Sequence, residues 1–464
     1  MGWSESVFDR IREETHFDGR KVKCFSDRPS DVNAIFEQAL ASNPDGDAVV
    51  AEDRRLSYLQ LDEQVTLLAA GMQRIGVAHG DRVAMLLGNR LEFLTVLLAT
   101  LRIGAIAVPV NIREQTPELT YILNHCGAVL LVHEQSIEDK LPVMADLDCL
   151  QHRYAVGGAT ALAEDFAVLS AMQPGTSAAE VINKAEPKAE AKVDAKATIA
   201  EEDVAVILYT SGTTGRPKGA MLTHFNIVHS VMHFELCMQL DSHDRSLLAV
   251  PASHVTGIIA ILATMLRVAG CTVMMDVFDA RLFLSIAARE KITHTVIVPA
   301  MYNLMLLRCE VADYDLSAWR IGAYGGAPMP PSTIAALAEK LPQLLLVNAY
   351  GSTEATSPAT IVPPGAGSMR PDSVGIAVPC ADIRIVDEHG DDVPDGTHGE
   401  LWIAGPMMVP GYWNDPDKTR AEFAGGYWKS GDIGSRDTEG FFSLHDRRKD
   451  MIIRGGYNLS LIHI

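Results

Sequence analysis

The chain has 464 residues, enough for about three domains or one large layered body. Hydrophobic residues make up 48% and charged residues 21%, which supplies a large core and excludes a wholly disordered chain. Lys and Arg number 39 against 59 Asp and Glu, a net charge of −20 that argues against nonspecific binding to nucleic acid or an anionic membrane surface.

The start, MGWSESVFDRIREE, is charged and lacks the apolar stretch of a secretory signal. From Asp31 to about His133, strand-like and helix-like segments alternate. Asp47–Ala51 and Arg82–Leu87 read as short buried strands. Leu61–Ile75 has helical spacing and stops at Gly76. Leu91–Arg102 predicts a second helix ended by Gly104, followed by a strand at Ala105–Val110. Glu118–His125 predicts a third helix and Ala128–His133 another strand. Such alternation implies a parallel sheet covered on both faces. The most apolar stretch, Val83–Val110, is interrupted by Asn89, Arg90, Glu92 and Arg102, so no membrane span is expected.

Gln173–Asp203 differs in texture. Its KAEPKAEAKVDAKA run (Lys184–Ala197) has no apolar face and contains Pro187, and reads as a solvated linker or surface excursion. Alternation resumes with strands predicted at Val204–Tyr209, Leu247–Val250, Cys271–Met275, Thr293–Val298, Arg320–Tyr324 and Leu344–Asn348. Helices are predicted between them, among them Ile258–Val268 and Pro331–Leu341. After Ser357, Gly and Pro become frequent, with short strands at Ile383–Val386, Glu400–Ala404 and Phe441–His445, which predicts a small β-rich domain. The seven cysteines are odd in number and form no CxxC, so neither a disulfide framework nor a structural zinc site is expected. A cytoplasmic protein follows as the expectation.

The strongest chemical signal is Val204–Gly219, VAVILYTSGTTGRPKG. An apolar strand runs into a loop carrying four hydroxyls, glycines and Lys218. Phosphate oxygens want that set: hydroxyl donors, unhindered backbone N–H groups and a cation. It is not GxxxxGK[ST]. Glu354 follows a predicted strand end, where parallel sheets bind ligands, and a carboxylate there suits Mg²⁺ shared with phosphates; Thr353 beside it adds a hydroxyl. A solvated loop carboxylate is the rival reading. Tyr350 offers an aromatic face or a core tyrosine. Asp432 lies in a Ser-Gly-Asp turn, where it accepts ligand hydroxyls or caps the turn. His254 is a site residue or a satisfied core histidine. Gly325-Gly326-Ala327-Pro328 either lets a ligand approach the backbone or simply ends a strand.

TSGTTGRPKG resembles the signature loop of the adenylate-forming superfamily, which contains acyl- and aryl-CoA ligases, nonribosomal adenylation domains and beetle luciferases. In the family's order, Tyr350-Gly351-Ser352-Thr353-Glu354 is similar to its YGxTE motif. Gly399-Glu400-Leu401 with Gly411-Tyr412-Trp413 resembles its GEL and GYW segments. Ser430-Gly431-Asp432 resembles SGD, and Asp446–Asp450 its hinge. The resemblance spans about Asp31 to Asn458.

It implies an α/β fold with two parallel-sheet subdomains in layered packing and a small β-rich, barrel-like subdomain. On this chain the parts are expected at 1–172, 204–357 and 358–446, with the linker at 173–203 and a hinge with the start of a C-terminal lid at 447–464. It implies ATP and Mg²⁺ as cofactors, CoA as co-substrate and a carboxylic acid as substrate. Lys218, Thr353, Glu354 and His254 would be catalytic, with Glu354 on the metal. Thr210, Ser211, Gly212, Thr213, Thr214, Gly215, Gly326, Ala327, Pro328, Tyr350, Gly351, Asp432 and Arg447 would bind the nucleotide, and Lys449 would be the hinge residue. The partners are small molecules, with no nucleic acid and no membrane insertion; a homodimer stays open.

The expected activity is ATP-dependent conversion of an acid to acyl-adenylate and then acyl-CoA. The segments expected to line the acid pocket are His254–Gly257, Met301–Leu304, Gly325–Pro328 and Ser357–Ile361. They are mostly small and apolar and contain no Lys or Arg. That favours a medium- or long-chain fatty acid, then an aryl acid, over a dicarboxylate. A noncatalytic relative that binds AMP or acyl-adenylate is the reading from another class. The family continues into a lid of about a hundred residues bearing an adenylation lysine. Here only LSLIHI follows Asn458, a hexapeptide also encoded by the transposase mosaic end CTGTCTCTTATACACATC. Residues 459–464 are expected to be adapter-derived, with a genuine short ending as the alternative, and turnover without a lid is expected to be slow.

Overall fold

The computed structural model describes residues 2–17, 19–170, 198–210, 216–367, 369–447, 451–454 and 457–460. The linker run Lys184–Ala197 lies outside them. After a single helical turn at Glu5–Phe8 comes a hairpin, β1 (Ile11–His16) with β2 (Arg20–Phe25). Then follow β3 (Asp47–Ala51), β4 (Arg54–Ser57), β5 (Arg82–Leu86), β6 (Ile106–Pro109), β7 (Ala128–Glu134), β8 (His152–Val156) and β9 (Glu164–Asp165). The middle of the chain holds β10 (Val204–Thr210), β11 (Lys218–Thr223), β12 (Arg245–Leu248), β13 (Cys271–Met274), β14 (His294–Ile297), β15 (Ile321–Tyr324), β16 (Leu345–Tyr350), β17 (Thr360–Ile361) and β18 (Ile376–Ala377). The last strands are β19 (Asp382–Val386), β20 (Gly399–Ala404), β21 (Phe423–Ala424), β22 (Tyr427–Arg436), β23 (Phe442–Arg447), β24 (Met451–Arg454) and β25 (Tyr457–Ser460).

The first sheet has the order β11-β10-β6-β5-β7-β8-β9 and is parallel except for the β10–β11 pair. The second runs β18-β17-β16-β15-β14-β12-β13-β3-β4, with a parallel centre from β16 to β3. The expected α/β class holds, and so does the barrel-like antiparallel third sheet, β19-β20-β22-β21 with β23 also on β22. Register shifts at Glu400/Trp402 and Ile433/Gly434 bend that third sheet.

The two large sheets are not confined to the separate stretches expected at 1–172 and 204–357. β3 pairs with β13, Val49 opposite Thr272, and β10 pairs with β6, Val206 opposite Ala107. Each sheet borrows strands from the other stretch, so the halves are laced together. Helix Leu91–Arg102 explains the apolar Val83–Val110 run: it packs on β3 of one sheet and β5 and β6 of the other, and Leu91 and Phe93 to Leu101 are buried. No helix among the described residues is long and apolar enough to cross a membrane.

Candidate active site

A cleft enclosing about 1570 Å³, its open mouth included, lies at the carboxyl ends of the parallel strands in the second sheet. The turn after β12 contributes Val250, Pro251 and His254 to Thr256. The turn after β14 contributes Val298, that after β15 Gly325 and Gly326, and that after β16 Gly351 to Glu354. The first sheet adds Thr210 at the end of β10 and Lys218 at the start of β11. The third sheet closes the cleft with Trp428 to Asp432 of β22. Three separate sheets therefore deliver their expected site residues to one space.

The polar part of the wall is a tight charge cluster. Lys218 Nζ lies 2.9 and 3.1 Å from the two carboxylate oxygens of Glu422, 3.1 Å from Tyr412 Oη and 3.8 Å from Glu354 Oε1. The Tyr412 hydroxyl is also 2.9 Å from Glu354 Oε1 and hydrogen-bonds Glu422. Burial raises the Glu422 carboxyl's pKa, but the Tyr412 hydroxyl, Lys218 and Lys418 outweigh this and bring it to about 2. Burial and the two carboxylates push the Tyr412 phenol far above its ordinary range.

Tyr350 donates its hydroxyl to Asp432 Oδ2 at 2.6 Å, joining the second sheet to the third. Arg447 on β23 stands directly across from Asp432 in strand register. Burial brings the His254 imidazole to about 4, so it is neutral at pH 7; the Thr256 N–H points at its Nδ1 from 3.4 Å, which leaves the proton on Nε2. The paired glycines separate in purpose. A Cβ on Gly325 would sit 2.4 Å from the Ala349 carbonyl oxygen, so strand packing demands glycine there. Gly326 has φ +75° and open space where a Cβ would go.

Residues 36–413 of the chain, which carry most of this cleft, match the AMP-binding enzyme family. The chain belongs to that family. It is 31% identical over 417 residues to the feruloyl-CoA synthase of an Amycolatopsis species, covering 90% of this chain and 78% of that one. It is 30% identical over 413 residues to the long-chain-fatty-acid–CoA ligase FadD13 of Mycobacterium tuberculosis, covering 88% and 76%. The solved N-terminal domain of FACL13 from Mycobacterium tuberculosis superposes with a TM-score of 0.77 at 27% identity, over 90% of this chain and 100% of that one.

In this AMP-binding enzyme the cleft collects Thr210, Lys218, His254, Gly326, Gly351, Thr353, Glu354 and Asp432. Tyr350 reaches it through Asp432. Ala327 and Pro328 follow Gly326 but do not line it. Ser211 to Gly215 and Lys449 lie outside the described residues. The expected acid-pocket segments need correction. Met301–Leu304 does not line the cleft, because helix Pro299–Arg308 begins right after β14 and buries Met301 and Tyr302 in the core. Ser357 lines the cleft, whereas Thr360 and Ile361 are committed to β17. Their places are taken by Phe234, Val296 and Ile297.

Tyr412 and Glu422 were not singled out by sequence reasoning. Tyr412 stood in the GYW motif without a role, and Glu422 reads as one more solvated charge at a helix end. Mg²⁺ shared with phosphates asks for one or two carboxylates. Glu354 and Thr353, both buried and facing the same space as Lys218, supply a carboxylate and a hydroxyl, so the residues present fit that ion.

Proposed function

We propose that the chain is an ATP-dependent acid–thiol ligase that converts a carboxylic acid to its acyl-adenylate and then to acyl-CoA. The observation that carries this is one cleft in which a cation and a carboxylate suited to phosphates share a wall with buried Phe234, Val250, Val255, Val296 and Ile297. In the first half-reaction an acid oxygen attacks the α-phosphorus of ATP, and the bond to pyrophosphate breaks. In the second, the CoA sulfur attacks the acyl carbonyl, and the bond to AMP breaks.

Each residue has work in that scheme. Lys218 and the hydroxyls beginning at Thr210 meet the phosphates. Glu354 and Thr353 hold Mg²⁺, which supplies charge neutralisation at the phosphate oxygens when bound. Such electrostatic complementarity is the main demand of phosphoryl chemistry. Neutral His254 presents an Nε2–H donor to the acid carboxylate. Asp432 accepts ribose hydroxyls, Tyr350 stands beside the adenine, and Arg447 serves the ribose or α-phosphate.

The apolar wall of Phe234, Val250, Val255, Val296 and Ile297 favours a medium- or long-chain fatty acid, with an aryl acid second. The relatives include named ligases of both kinds. The acidic net charge and seven free cysteines support a cytoplasmic setting. Pyrophosphate release from Mg·ATP across a panel of acids tests the reading. Release that depends on fatty acids and is absent with dicarboxylates is the expected result. Nucleotide binding without acid-dependent release would contradict it and leave a noncatalytic binder.

A further inference from the structure

Glu422 is the last residue of helix Pro416–Glu422, where a carboxylate opposes the negative end of the helix dipole. Nothing in its own helix rewards that placement except Lys418, whose Nζ lies 3.2 Å from Oε1. The remaining partners come from elsewhere in the fold. Lys218 grips both of its oxygens, and these two side chains are only 13% and 14% exposed. Tyr412 supplies one hydroxyl within reach of two carboxylates, Glu354 and Glu422. One proton serves one acceptor at a time, so the second carboxylate depends on Lys218. A phosphate entering this cluster brings more negative charge to a place that already holds two carboxylates. It gains Lys218 as a counter-charge when Lys218 leaves Glu422. Lys418 and the Tyr412 hydroxyl remain to satisfy Glu422 after that exchange.

From this arrangement we infer that Glu422 is a positioning residue: it holds Lys218 extended at the phosphate site and surrenders it to the phosphates when they bind. The inference rests on reading Lys218 as the phosphate-contacting cation. The contact lowers apparent phosphate affinity by the free energy of the pair it displaces, which also speeds departure of pyrophosphate.

The test is titration calorimetry of pyrophosphate, with and without Mg²⁺, on the wild-type chain, Glu422→Gln, Lys218→Ala and the double variant, each checked for an unchanged melting profile. Glu422→Gln is expected to bind pyrophosphate about fivefold tighter, the size of one partly buried ion pair. Lys218→Ala is expected to bind it at least ~10-fold more weakly. The gain from Glu422→Gln should vanish in the Lys218→Ala background, which a merely structural role would not produce. If Glu422→Gln does not fold, Glu422→Asp withdraws the charge by one methylene and is read the same way, as tighter binding. Unchanged or weaker binding in the Glu422 variant, with Lys218→Ala still weakened, overturns the inference and leaves the reading of Lys218 standing. Weakening only when Mg²⁺ is present makes Glu422 a metal ligand instead and also overturns it. Unaltered binding in Lys218→Ala removes both.

Discussion

Lys218 and Tyr412 lie 194 positions apart in the chain and 3.1 Å apart in the cleft. The sequence offered Lys218 through its company of hydroxyls and glycines, and Glu354 through its place after a strand. It could not offer Glu422, because a single charge at a helix end has no local pattern, and only the tertiary fold brings it to Lys218. Glu354→Gln keeps a hydrogen-bond acceptor for Tyr412 but removes the charge that Mg²⁺ needs. ATP affinity in Mg²⁺ should fall at least ~10-fold, with little change without Mg²⁺ or in melting temperature. Titration in both conditions checks this, and equal affinities for variant and wild type would contradict it.

Buried histidines set a second expectation at this scale. Burial lowers the pKa of His224 and His294 to about 4 and of His229 to about 3. The unfolded chain takes up these protons near pH 6.5, whereas the folded chain resists them until far lower pH. Stability is therefore complete above about pH 6.5 and falls as pH drops from there toward 4. Each such histidine contributes up to about 1.4 kcal/mol per pH unit within that window. Urea midpoints at pH 7.5 and pH 5 read this out. A flat profile would show that the histidines are solvated.

Among the elements, helix Leu91–Arg102 was legible residue for residue, because Gly104 stops it and a long apolar run marks it. Helix His224–Met238 was not named from the sequence. It is buried almost all round and carries His224, Asn226, His229 and His233 at buried positions, so no apolar stripe contrasts with a polar face. Its start is fixed by a capping box: Thr223 Oγ1 accepts from the Asn226 N–H, and the Asn226 side chain accepts from the Thr223 N–H. Thr223→Ala should cost about 1–2 kcal/mol in chemical denaturation. A cost near zero would mean that the cap is redundant.

The helix expected at Ile258–Val268 begins instead as a π-helix, Thr256–Ala263, before Thr264–Arg267 becomes α-helical. Periodicity could not distinguish these, since the segment is apolar on every face. π-turns gather at functional sites, and this one leads directly from His254.

For the whole molecule, the three-sheet class was legible from alternation and from the change in texture after Ser357, but the exchange of β3 and β10 between sheets was not. Both strands are short and apolar, and nothing local says which neighbour a buried parallel strand will choose. That exchange makes the two large sheets one body, and the cleft therefore depends on all three sheets at once. Tyr350–Asp432 and Tyr412–Glu354 are two of the bonds that cross between them. Tyr350→Phe leaves the buried Asp432 without that donor and should cost about 1–3 kcal/mol in global stability. A loss confined to β19–β23 in hydrogen exchange would show instead that the third sheet unfolds by itself.

The central claim is that nucleotide and acid occupy adjoining parts of one cleft. Its most direct measurement is calorimetric titration with a fatty-acyl sulfamoyl-adenosine, compared with AMP alone and with the free fatty acid. If both parts are contiguous, the conjugate should bind at least ~100-fold more tightly than either half and be displaced by ATP. A conjugate that binds no tighter than AMP, or that ATP fails to displace, would contradict the account.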